Sequence, residues 1–421
     1  MDRTIQPGKL RGTIAAQPSK YASHRALICA ALAKGGSVLH NLADNEDTKA
    51  TIGVLQAMGA SFSPLDRGEL LVKGIAPTRE PVVLDCGESG STLRFLLPVA
   101  AALGISATFT GRGRLPQRPI GDLADALAAH GVQVGTPQSE GEILSVSGQL
   151  QSGAFTLPGN VSSQYITGLL FALPLLPGDS DILLTTPLES SGYVDMTLEM
   201  QSSFGIRIER GENCFHIPGG QCYTPAEVTV EGDYSAAAFW LAAGAIGSDI
   251  TVTGLREESL QADRAILEVL RLFGASLERR EGGCRISSGH LGGMHLDVSD
   301  MPDLLPILAV VAACAYGTTG FVNAGRLRDK ESDRIHATAQ GLSALGARVD
   351  EGPDSLIVYG STPLIGGVVD GFGDHRIAMA MSIAALNASE PVTIRGAECV
   401  NKSYPTFYDD LELLGGVSNV L

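Results

Sequence analysis

QAMGASF, at residues 56–62, is the stretch from which the fold can be read. Its glycine follows an apolar residue and precedes a strand-like run, which is typical of a helix that ends on a left-handed residue. The pattern returns about every 70 residues, as AAHGVQV (128–134), SSFGIRI (202–208), RLFGASL (271–277), SALGARV (343–349) and LLGGVSNV (413–420). The first five copies continue into a second strand that ends in glycine, which indicates a hairpin. The pattern therefore predicts six repeats.

A second signature lies between these copies, in the form of helix bodies that are apolar on nearly every side. They read ALICAALA (26–33), LRFLLPVAAAL (93–103), YITGLLFALPLL (165–176), AAAFWLAAGAI (236–246), LLPILAVVAACA (304–315) and IAMAMSIAAL (377–386). A helix without a polar face must be buried on every face. The other helix of each repeat is amphipathic, as in LQADRAILEVLRLFG (260–274). Each repeat thus reads as strand, helix, strand, helix and hairpin, an α/β unit.

Two domains follow from the order of the repeats. The sixth repeat stops at Leu421, before its hairpin is complete, and Thr4 to Ala15 holds two strand-like pieces without a helix. We expect both pieces to complete the sixth repeat, which joins the N-terminus to the C-terminal half. Repeats one to three then form one lobe, residues 19–231. Residues 1–18 and 232–421 form the other.

Composition limits the partners of this chain. Its formal net charge is −16, with 44% apolar and 18% charged residues, which fits a globular protein that does not bind nucleic acid or anionic membranes. The seven cysteines have no zinc-site spacing, so free thiols in a reducing compartment are expected. The N-terminal MDRTIQPGKLRG lacks the apolar core of a signal peptide. We therefore expect a cytoplasmic protein with no membrane segment.

Polar residues at the predicted helix starts indicate anionic ligands. A helix N-terminus presents unpaired N–H groups and a partial positive charge, so cations placed there are unfavourable without an anion. The starts nevertheless carry Lys20, Arg25 and Arg376, and the glycine-rich loop 87–91 opens another helix. Further cations precede or open the amphipathic helices, at Arg118, Lys330, Arg334 and Lys402. This recurrence indicates a ligand with more than one phosphate or carboxylate.

Ten segments in order along the whole chain resemble the enolpyruvyl transferase family. They are PSKYASHRALICAAL (18–32), GESGSTLRFLLP (87–98), RLPQRPIGDL (114–123), GNVSSQYITGLL (159–170), SSGYVDMTL (190–198), VEGDYSAAA (230–238), DMPDLLPILA (300–309), RDKESDRI (328–335), FGDHRIAMA (372–380) and NKSYPTF (401–407). The resemblance implies a two-lobed inside-out α/β barrel of six βαβαββ repeats, three per lobe, with the starts of the buried helices facing the cleft between the lobes.

The resemblance also implies a reaction. The 5-hydroxyl of shikimate 3-phosphate attacks phosphoenolpyruvate, and the tetrahedral intermediate loses phosphate and a proton to leave an enol ether. No metal and no organic cofactor take part. Asp303 would take the hydroxyl proton, and Glu331 with Lys20 would handle the proton of the methylene carbon. His375 has two readings, assistance at the leaving phosphate or a structural histidine at a helix start.

Substrate contacts are implied residue by residue. For shikimate 3-phosphate they are Lys20, Tyr21, Arg25, Ser162, Ser163, Gln164, Ser190, Tyr193, Asp303 and Lys330. For phosphoenolpyruvate they are Lys20, Gly90, Arg118, Gln164, Glu331, Arg334, Arg376 and Lys402. The herbicide glyphosate is an expected inhibitor that packs on Gly90, with its strength left open by Ser91 and Phe95. We expect a monomer.

Two positions depart from the family pattern. Tyr21 stands where the family usually has serine, and Arg326 stands where asparagine is frequent. Each departure puts a contact to shikimate 3-phosphate in doubt. We expect the lobes to close on the substrates, and the repulsion among the cations of the cleft to hold them open beforehand.

Three other functions compete with this interpretation. The sister enzyme that acts on UDP-N-acetylglucosamine usually has a cysteine before its Arg-Pro pair, whereas the loop GRGRLPQRP (111–119) has none. A repeat scaffold that only binds ligands would not need Asp303, Glu331 and Lys20 together. An RNA phosphate-end enzyme conflicts with the acidic charge.

Overall fold

The computed structural model describes residues 1–76, 80–280 and 282–421. Its α-helices within these ranges are α1 (Lys20–Leu32), α2 (Glu46–Ala57), α3 (Gly90–Ala102), α4 (Gly121–Ala128), α5 (Ser163–Ala172), α6 (Ser191–Ser203), α7 (Tyr234–Ala245), α8 (Ile266–Phe273), α9 (Leu305–Cys314), α10 (Arg334–Ala344), α11 (His375–Ala385) and α12 (Phe407–Leu413). Odd-numbered helices are the apolar ones of the sequence pattern, and even-numbered helices are the amphipathic ones.

The strands in the same ranges are short. They are β1 (Arg3–Ile5), β2 (Arg11–Ala15), β3 (Gly36–His40), β4 (Ser61–Pro64), β5 (Leu70–Lys73), β6 (Val82–Asp85), β7 (Ala107–Thr110), β8 (Val132–Gly135), β9 (Glu142–Gly148), β10 (Ala154–Leu157), β11 (Ser180–Leu184), β12 (Glu209–Arg210), β13 (Cys214–Ile217), β14 (Glu227–Thr229), β15 (Asp249–Thr253), β16 (Ser276–Arg280), β17 (Gly283–Ser287), β18 (His295–Asp297), β19 (Thr318–Val322), β20 (Arg348–Gly352), β21 (Ser355–Tyr359), β22 (Gly367–Asp370), β23 (Val392–Arg395) and β24 (Ser418–Val420).

Two compact units make up the chain. One contains Pro18–Val230, and the other contains Met1–Gln17 together with Glu231–Leu421. Each unit holds three four-stranded sheets. The sheets of the first unit are β14-β3-β5-β4, β6-β7-β9-β8 and β10-β11-β13-β12, and those of the second are β2-β15-β17-β16, β18-β19-β21-β20 and β22-β23-β1-β24.

All six sheets share one plan. The first two strands are parallel, as in β6 and β7, and the remaining neighbours are antiparallel, as in β7 with β9 and β9 with β8. A parallel pair needs a crossover, and α3 supplies it between β6 and β7. The antiparallel pair is the predicted hairpin. The repeated α/β plan is therefore confirmed at the level of strand pairing.

The N-terminal strands correct one prediction. β1 lies between β23 and β24 and completes the sixth sheet, as expected. β2 instead pairs in parallel with β15, in the fourth sheet. The strand that directly precedes the fourth repeat in the sequence, β14, pairs with β3 in the first sheet of the other unit. The fourth sheet therefore takes β2 as its parallel strand. The N-terminus therefore serves two repeats rather than one.

The odd-numbered helices are buried on almost every side, as their composition requires. Every residue of α3 and α11 is buried, and α1, α5, α7 and α9 each have a single residue that is not. α3 and α5 pack directly against each other, and Gly168 of α5 faces the backbone carbonyl of Arg94 so closely that a Cβ would lie 2.2 Å from it. Within the described residues, no helix is both long and apolar enough to cross a membrane.

The recurring glycine has the conformation that the sequence predicts. Its φ is positive in all six repeats: 107° at Gly59, 89° at Gly131, 81° at Gly205, 108° at Gly274, 91° at Gly346 and 91° at Gly415. Each glycine follows an even-numbered helix by a few residues and turns the chain toward the hairpin. Residues with a Cβ rarely adopt this backbone conformation, which explains why the repeat keeps glycine there.

Two glycines near the end of α2 provide a matched test. Gly59→Ala should lower the free energy of unfolding by about 1 to 3 kcal/mol, because the φ is left-handed and the new Cβ meets a backbone oxygen. That oxygen belongs to Ala76 and lies 2.2 Å from the Cβ position. Gly53→Ala, inside the helix with nothing within 4 Å, should stabilise by about 0.5 to 1 kcal/mol. Urea unfolding of both variants measures the difference, and equal effects would contradict this account of the repeat.

Candidate active site

Short polar side chains cap five of the six buried helices. Ser19, Ser89, Ser162, Asp233 and Asp374 each accept a hydrogen bond from a backbone N–H of the first turn. α9 differs, because a 3₁₀ turn at Pro302–Leu304 leads into it. The caps place the starts of α1 and α3 before their apolar bodies (26–33 and 93–103), so that Lys20 and Gly90 are the first residues of their helices. The predicted ligand-binding residues thus gather at helix N-termini.

Lys20 is largely buried in the unit Pro18–Val230, where its Nζ lies 2.8 Å from Oδ2 of Asp47. Asp47 belongs to the first turn of α2. This contact fixes the ammonium group at the start of α1 and partly neutralises its charge. The pairing of Lys20 with Asp47 was not part of the sequence prediction, since acidic residues in the first turn of a helix are common for dipole reasons alone.

Arg25 forms hydrogen bonds to two residues that are predicted to contact shikimate 3-phosphate. Its guanidinium donates to the backbone oxygens of Tyr21 at 2.8 Å and Tyr193 at 2.7 Å, and its Nε donates to Oγ1 of Thr197 at 2.8 Å. Burial lowers the pKa of Arg25 to about 10. The rings of Tyr21 and Tyr193 pack with centroids 4.8 Å apart. Arg25 therefore commits three of its five N–H groups to the protein.

A buried arginine that the sequence analysis did not select organises Gln164. Arg94 donates from Nη1 to Oε1 of Gln164 and from Nη2 to the carbonyl of Pro119, both at 2.7 Å. The amide of Gln164 in turn donates to Oγ of Ser91 at 3.0 Å. Arg94 lies in the second turn of α3, and a cation so near a helix start was the available signal for it.

Gly90 lies directly against Arg118. A Cβ on Gly90 would lie 2.7 Å from Nη1 of Arg118 and 3.0 Å from Nη1 of Arg94. The absence of a side chain therefore lets two guanidinium groups approach the N-terminus of α3. Two cations beside unpaired N–H groups favour a bound anion at this point.

The predicted hydroxyl contacts lie at two further helix starts. Ser162 caps α5, with Oγ accepting from the backbone N–H of Gln164 at 3.3 Å, and Ser163 is the buried first residue of that helix. Ser190 precedes α6 with a left-handed φ of 55° and is buried. A non-glycine residue with such a φ is uncommon and marks a backbone that its surroundings hold in place.

Arg334 is the centre of the second cluster, in the unit that holds the C-terminus. Nε donates to Oδ2 of Asp374 at 2.8 Å, Nη2 to Oδ1 of Asp374 at 3.2 Å, and Nη1 to Oδ1 of Asp303 at 2.6 Å. Ser332 also donates to Asp374, at 3.0 Å. Only 3% of the Arg334 side chain is exposed and none of the Asp374 side chain, so this is a desolvated ion pair.

These contacts set the protonation states of the pair. Burial opposes the charge of Arg334, but Asp374, Asp303 and Glu331 outweigh it and raise the pKa above its ordinary value. Burial likewise opposes ionisation of Asp374, yet the Arg334 guanidinium prevails and holds the pKa of this carboxyl below its ordinary value. Both groups are therefore charged at neutral pH, and each keeps the other so.

Arg376 is the second arginine on Asp303. Its Nη2 lies 3.2 Å from Oδ2 of Asp303, and its Nη1 lies 3.4 Å from the Asp303 carbonyl. The same Nη2 donates to Oγ of Ser235 at 3.1 Å, and that hydroxyl donates to the buried carboxylate of Asp263. Ser235 and Asp263 were not among the predicted residues, because their role depends on a neighbour far away in the sequence.

Glu331 and His375 are in contact. Oε2 of Glu331 lies 2.8 Å from Nδ1 of His375, which is 1% exposed at the first position of α11. Ligand atoms of Glu331, Asp374 and His375 lie within 4.8 Å of one another, close enough for a metal ion. Arg334 already contacts both carboxylates, at 3.8 Å for Glu331, so a guanidinium supplies the positive charge there. The predicted carboxylate of Glu331 thus faces a histidine in this unit.

Three remaining cations have distinct surroundings. Nζ of Lys402 donates to the carbonyl of Gly373, just before α11, at 2.6 Å. Lys330 is half-buried and directly follows a 3₁₀ turn at Gly325–Asp329. Arg326 donates to the carbonyl of Ser299 at 2.6 Å, so it braces the loop before Asp303. This structural contact gives the departure at Arg326 a physical reason.

Buried arginines paired with carboxylates, at the starts of α10 and α11, are typical of an enzyme that acts on substrates with several anionic groups. The six-repeat α/β fold is shared with enolpyruvyl transferases: one from Streptomyces tendae, NikO, gives a TM-score of 0.79 at 18% identity, with 99% of this chain and 98% of that chain covered. At that identity the likeness concerns the fold alone.

Sequence comparisons narrow the class. The family model for EPSP synthase (3-phosphoshikimate 1-carboxyvinyltransferase) matches residues 5–411. The 3-phosphoshikimate 1-carboxyvinyltransferase of Clostridium acetobutylicum is 45% identical over 416 residues, and that of Clostridium kluyveri is 44% identical over 417; the alignments cover 98% of this chain and 97% of each relative. EPSP synthase from Acinetobacter baumannii is 29% identical, with a TM-score of 0.82 and full coverage of both chains. The chain belongs to the EPSP synthase family.

The family establishes the reaction. This chain is a transferase of the shikimate pathway, and it moves the enolpyruvyl group of phosphoenolpyruvate to shikimate 3-phosphate. The predicted function and fold class are thereby confirmed, and the alternative with UDP-N-acetylglucosamine as acceptor is not supported by these relatives.

A buried chain of hydroxyl groups connects His24 to the glycine-rich loop. Nδ1 of His24 lies 2.7 Å from Oγ1 of Thr51, which lies 2.7 Å from Oγ1 of Thr92, and Thr92 donates to Oγ of Ser89 at 2.8 Å. Each hydroxyl has one proton to donate. Because Thr92 donates its proton to Ser89, it accepts from Thr51, and Thr51 in turn accepts from Nδ1–H of His24. Its Nε2 is then unprotonated, in a place with no hydrogen-bond partner. Burial lowers the pKa of His24 to about 3.

The depressed pKa of His24 predicts a loss of stability in acid. An unfolded histidine binds a proton below about pH 6.5 and the folded one does not, so stability should fall by about 1.4 kcal/mol per pH unit from pH 6.5 toward pH 3. His24→Asn keeps a donor for Thr51 and cannot titrate, so this contribution to the slope should vanish. Urea unfolding of both proteins between pH 7.5 and pH 4.5 measures the pH dependence of the free energy of unfolding. Parallel profiles would show that the pKa of His24 is not depressed in the folded protein.

Proposed function

We propose that Asp303, Glu331 and Lys20 carry the proton transfers of the enolpyruvyl transfer, and that the arginines around them hold phosphoenolpyruvate. The observation that carries this proposal is the position of Asp303, whose carboxylate lies within 3.2 Å of guanidinium nitrogens of both Arg334 and Arg376. This position puts the proposed base directly beside two guanidinium groups that suit the anionic co-substrate.

Phosphoenolpyruvate would be held by planar guanidinium groups and by the start of α3. Arg118 and Gly90 form one part of this set, with Gln164 oriented beside them by Arg94. Arg334, Arg376 and Lys402 form another part, next to Glu331. Bidentate pairing of arginine with a carboxylate or a phosphate gives both strength and orientation, which is what an addition at one carbon requires.

Shikimate 3-phosphate would be held by hydroxyl groups and cations at the starts of α1, α5 and α6. Ser162, Ser163 and Ser190 supply hydroxyls, and Lys20 and Arg25 supply charge. Tyr21 and Tyr193 would flank the ring of the substrate, and Lys330 and Gln164 would complete the contacts. The backbone bonds of Arg25 to both tyrosines support this arrangement, because they fix the two rings relative to the cation.

His375 would act on the leaving phosphate through its contact with Glu331. The His375 ring is buried at the first position of α11, where the helix N-terminus favours a bound anion, with Nδ1 2.8 Å from Oε2 of Glu331. Glyphosate would occupy the phosphoenolpyruvate site and inhibit. The protein would act as a cytoplasmic monomer, which size-exclusion chromatography with light scattering would check.

Phosphate release tests the acceptor and the base together. Wild-type protein should release phosphate from phosphoenolpyruvate with shikimate 3-phosphate and not with UDP-N-acetylglucosamine. Asp303→Asn should lower kcat by a factor on the order of 10² to 10⁴, because general base catalysis contributes that much. Asp249→Asn is the matched control, since this carboxylate pairs with Arg285 on the surface of the same unit at 2.7 Å.

Two outcomes would contradict the proposal. Full activity of Asp303→Asn would remove Asp303 from the proton transfer. Release with UDP-N-acetylglucosamine alone would assign the chain to the sister reaction despite its relatives.

Gly90→Ala tests the phosphoenolpyruvate side. The new Cβ would displace the flexible guanidinium of Arg118 rather than backbone, so the fold should persist while the anion contact shifts. We expect KM for phosphoenolpyruvate and the inhibition constant of glyphosate to rise by about tenfold to a hundredfold, with KM for shikimate 3-phosphate unchanged. Gly121→Ala, with nothing within 4 Å of its Cβ, is the control in steady-state kinetics. An equal rise in both KM values would place Gly90 outside this subsite.

A further inference from the structure

Asp303 occupies the two arginines that the co-substrate would need. Each of its carboxylate oxygens accepts from a different guanidinium, Oδ1 from Arg334 at 2.6 Å and Oδ2 from Arg376 at 3.2 Å. The Asp303 side chain is 11% exposed and the two arginine side chains are 3% and 4% exposed. One carboxylate thus forms a bridge between two buried cations.

Other contacts hold both arginines in place without Asp303. Nε and Nη2 of Arg334 donate to the carboxylate of Asp374, which is itself fixed as the N-cap of α11. Arg376 is anchored through Ser235 to Asp263. The side-chain bonds to Asp303 are therefore the ones that an incoming anion could replace, because Asp374 and Ser235 keep their own contacts to the two guanidinium groups.

A bridged carboxylate is a poor base and a strong competitor. Each of its two oxygens already accepts from a guanidinium nitrogen, so neither is placed to take the proton of a hydroxyl group. An incoming carboxylate or phosphate binds arginines that are already paired with Asp303. Its net binding free energy is therefore only the difference between its own pairing with the arginines and the pairing that it displaces. The geometry before catalysis thus opposes both steps that the reaction needs from these groups.

We propose that Asp303 is an internal competitor of phosphoenolpyruvate, which keeps Arg334 and Arg376 occupied until the 5-hydroxyl of the acceptor draws its carboxylate away. This inference rests on the proposed function, which assigns Asp303 to the acceptor hydroxyl and the two arginines to phosphoenolpyruvate. The exchange frees the arginines for the anion and turns Asp303 into a more effective base in the same event.

The exchange makes the two substrates cooperative. An acceptor that engages Asp303 raises the affinity for phosphoenolpyruvate, and phosphoenolpyruvate raises the affinity for the acceptor by the same factor. The coupling depends on the hydroxyl that Asp303 contacts and not on the phosphate of the acceptor. An acceptor that lacks only this hydroxyl should therefore bind without drawing Asp303 away from Arg334 and Arg376.

Calorimetric titration of phosphoenolpyruvate into the intact protein tests the proposal. Without acceptor, Asp303→Asn should bind phosphoenolpyruvate at least tenfold more tightly than wild type. Shikimate 3-phosphate should strengthen the binding of glyphosate, which occupies the proposed phosphoenolpyruvate site without reacting, and 5-deoxyshikimate 3-phosphate should do so at least tenfold less. The deoxy compound also permits the wild-type measurement without turnover.

Matched variants separate the competitor from other effects. Asp249→Asn changes the net charge equally and leaves the cluster intact, so its affinity for phosphoenolpyruvate should equal that of wild type. Asp303→Ala repeats the test without the amide, which could itself bond to the arginines. Thermal unfolding of each variant confirms that the protein is folded before binding is measured.

The proposal is overturned if folded Asp303→Asn and Asp303→Ala bind phosphoenolpyruvate no more tightly than wild type, or if the deoxy acceptor gives the same gain as shikimate 3-phosphate. Either result together with normal wild-type turnover and inactive Asp303 variants would leave the proposed function standing. Full turnover by the Asp303 variants would instead contradict the proposed role of Asp303 as base.

Discussion

Six helices that have no polar face impose the main constraint on this protein. A helix covered on every side can carry a charge only near its end, where backbone N–H groups and a cap already create a polar environment. Accordingly Lys20, Arg25, Arg94, His375 and Arg376 all lie within the first two turns of α1, α3 or α11. The same burial that stabilises each unit thus collects its reactive groups at helix starts.

The repeat could be predicted from sequence because it depends on local chemistry. A left-handed glycine after each amphipathic helix and an all-apolar helix body are visible in one repeat at a time. The place of β2 could not be predicted, since its partner β15 is more than two hundred residues away in the sequence. Helices α1 and α3 begin a few residues before their apolar bodies because Ser19 and Ser89 form the caps.

The residue types of the site were predictable, but their partners were not. Arg334 was expected to hold a substrate, and the structure adds Asp374 as the carboxylate that fixes it. Arg94 was overlooked although it orients Gln164, because its role depends on a contact between α3 and α5. Tyr21 is an instructive departure: its carbonyl accepts from Arg25 and its ring packs on Tyr193, so the larger side chain has a structural place of its own.

Charge balance changes the expected picture of the unliganded site. We expected repulsion among cations, yet in the C-terminal unit the guanidinium groups of Arg334 and Arg376 are bridged by Asp303, and Asp374 holds Arg334. The cost of removing these cations from water is therefore met on folding, before any substrate arrives. In the proposed exchange a bound anion would replace a carboxylate instead of neutralising a bare charge, which would lower the affinity for stray phosphate. Selectivity must come from a ligand that satisfies several groups at once, and phosphoenolpyruvate, with a carboxylate and a phosphate ester on the same carbon, is such a ligand.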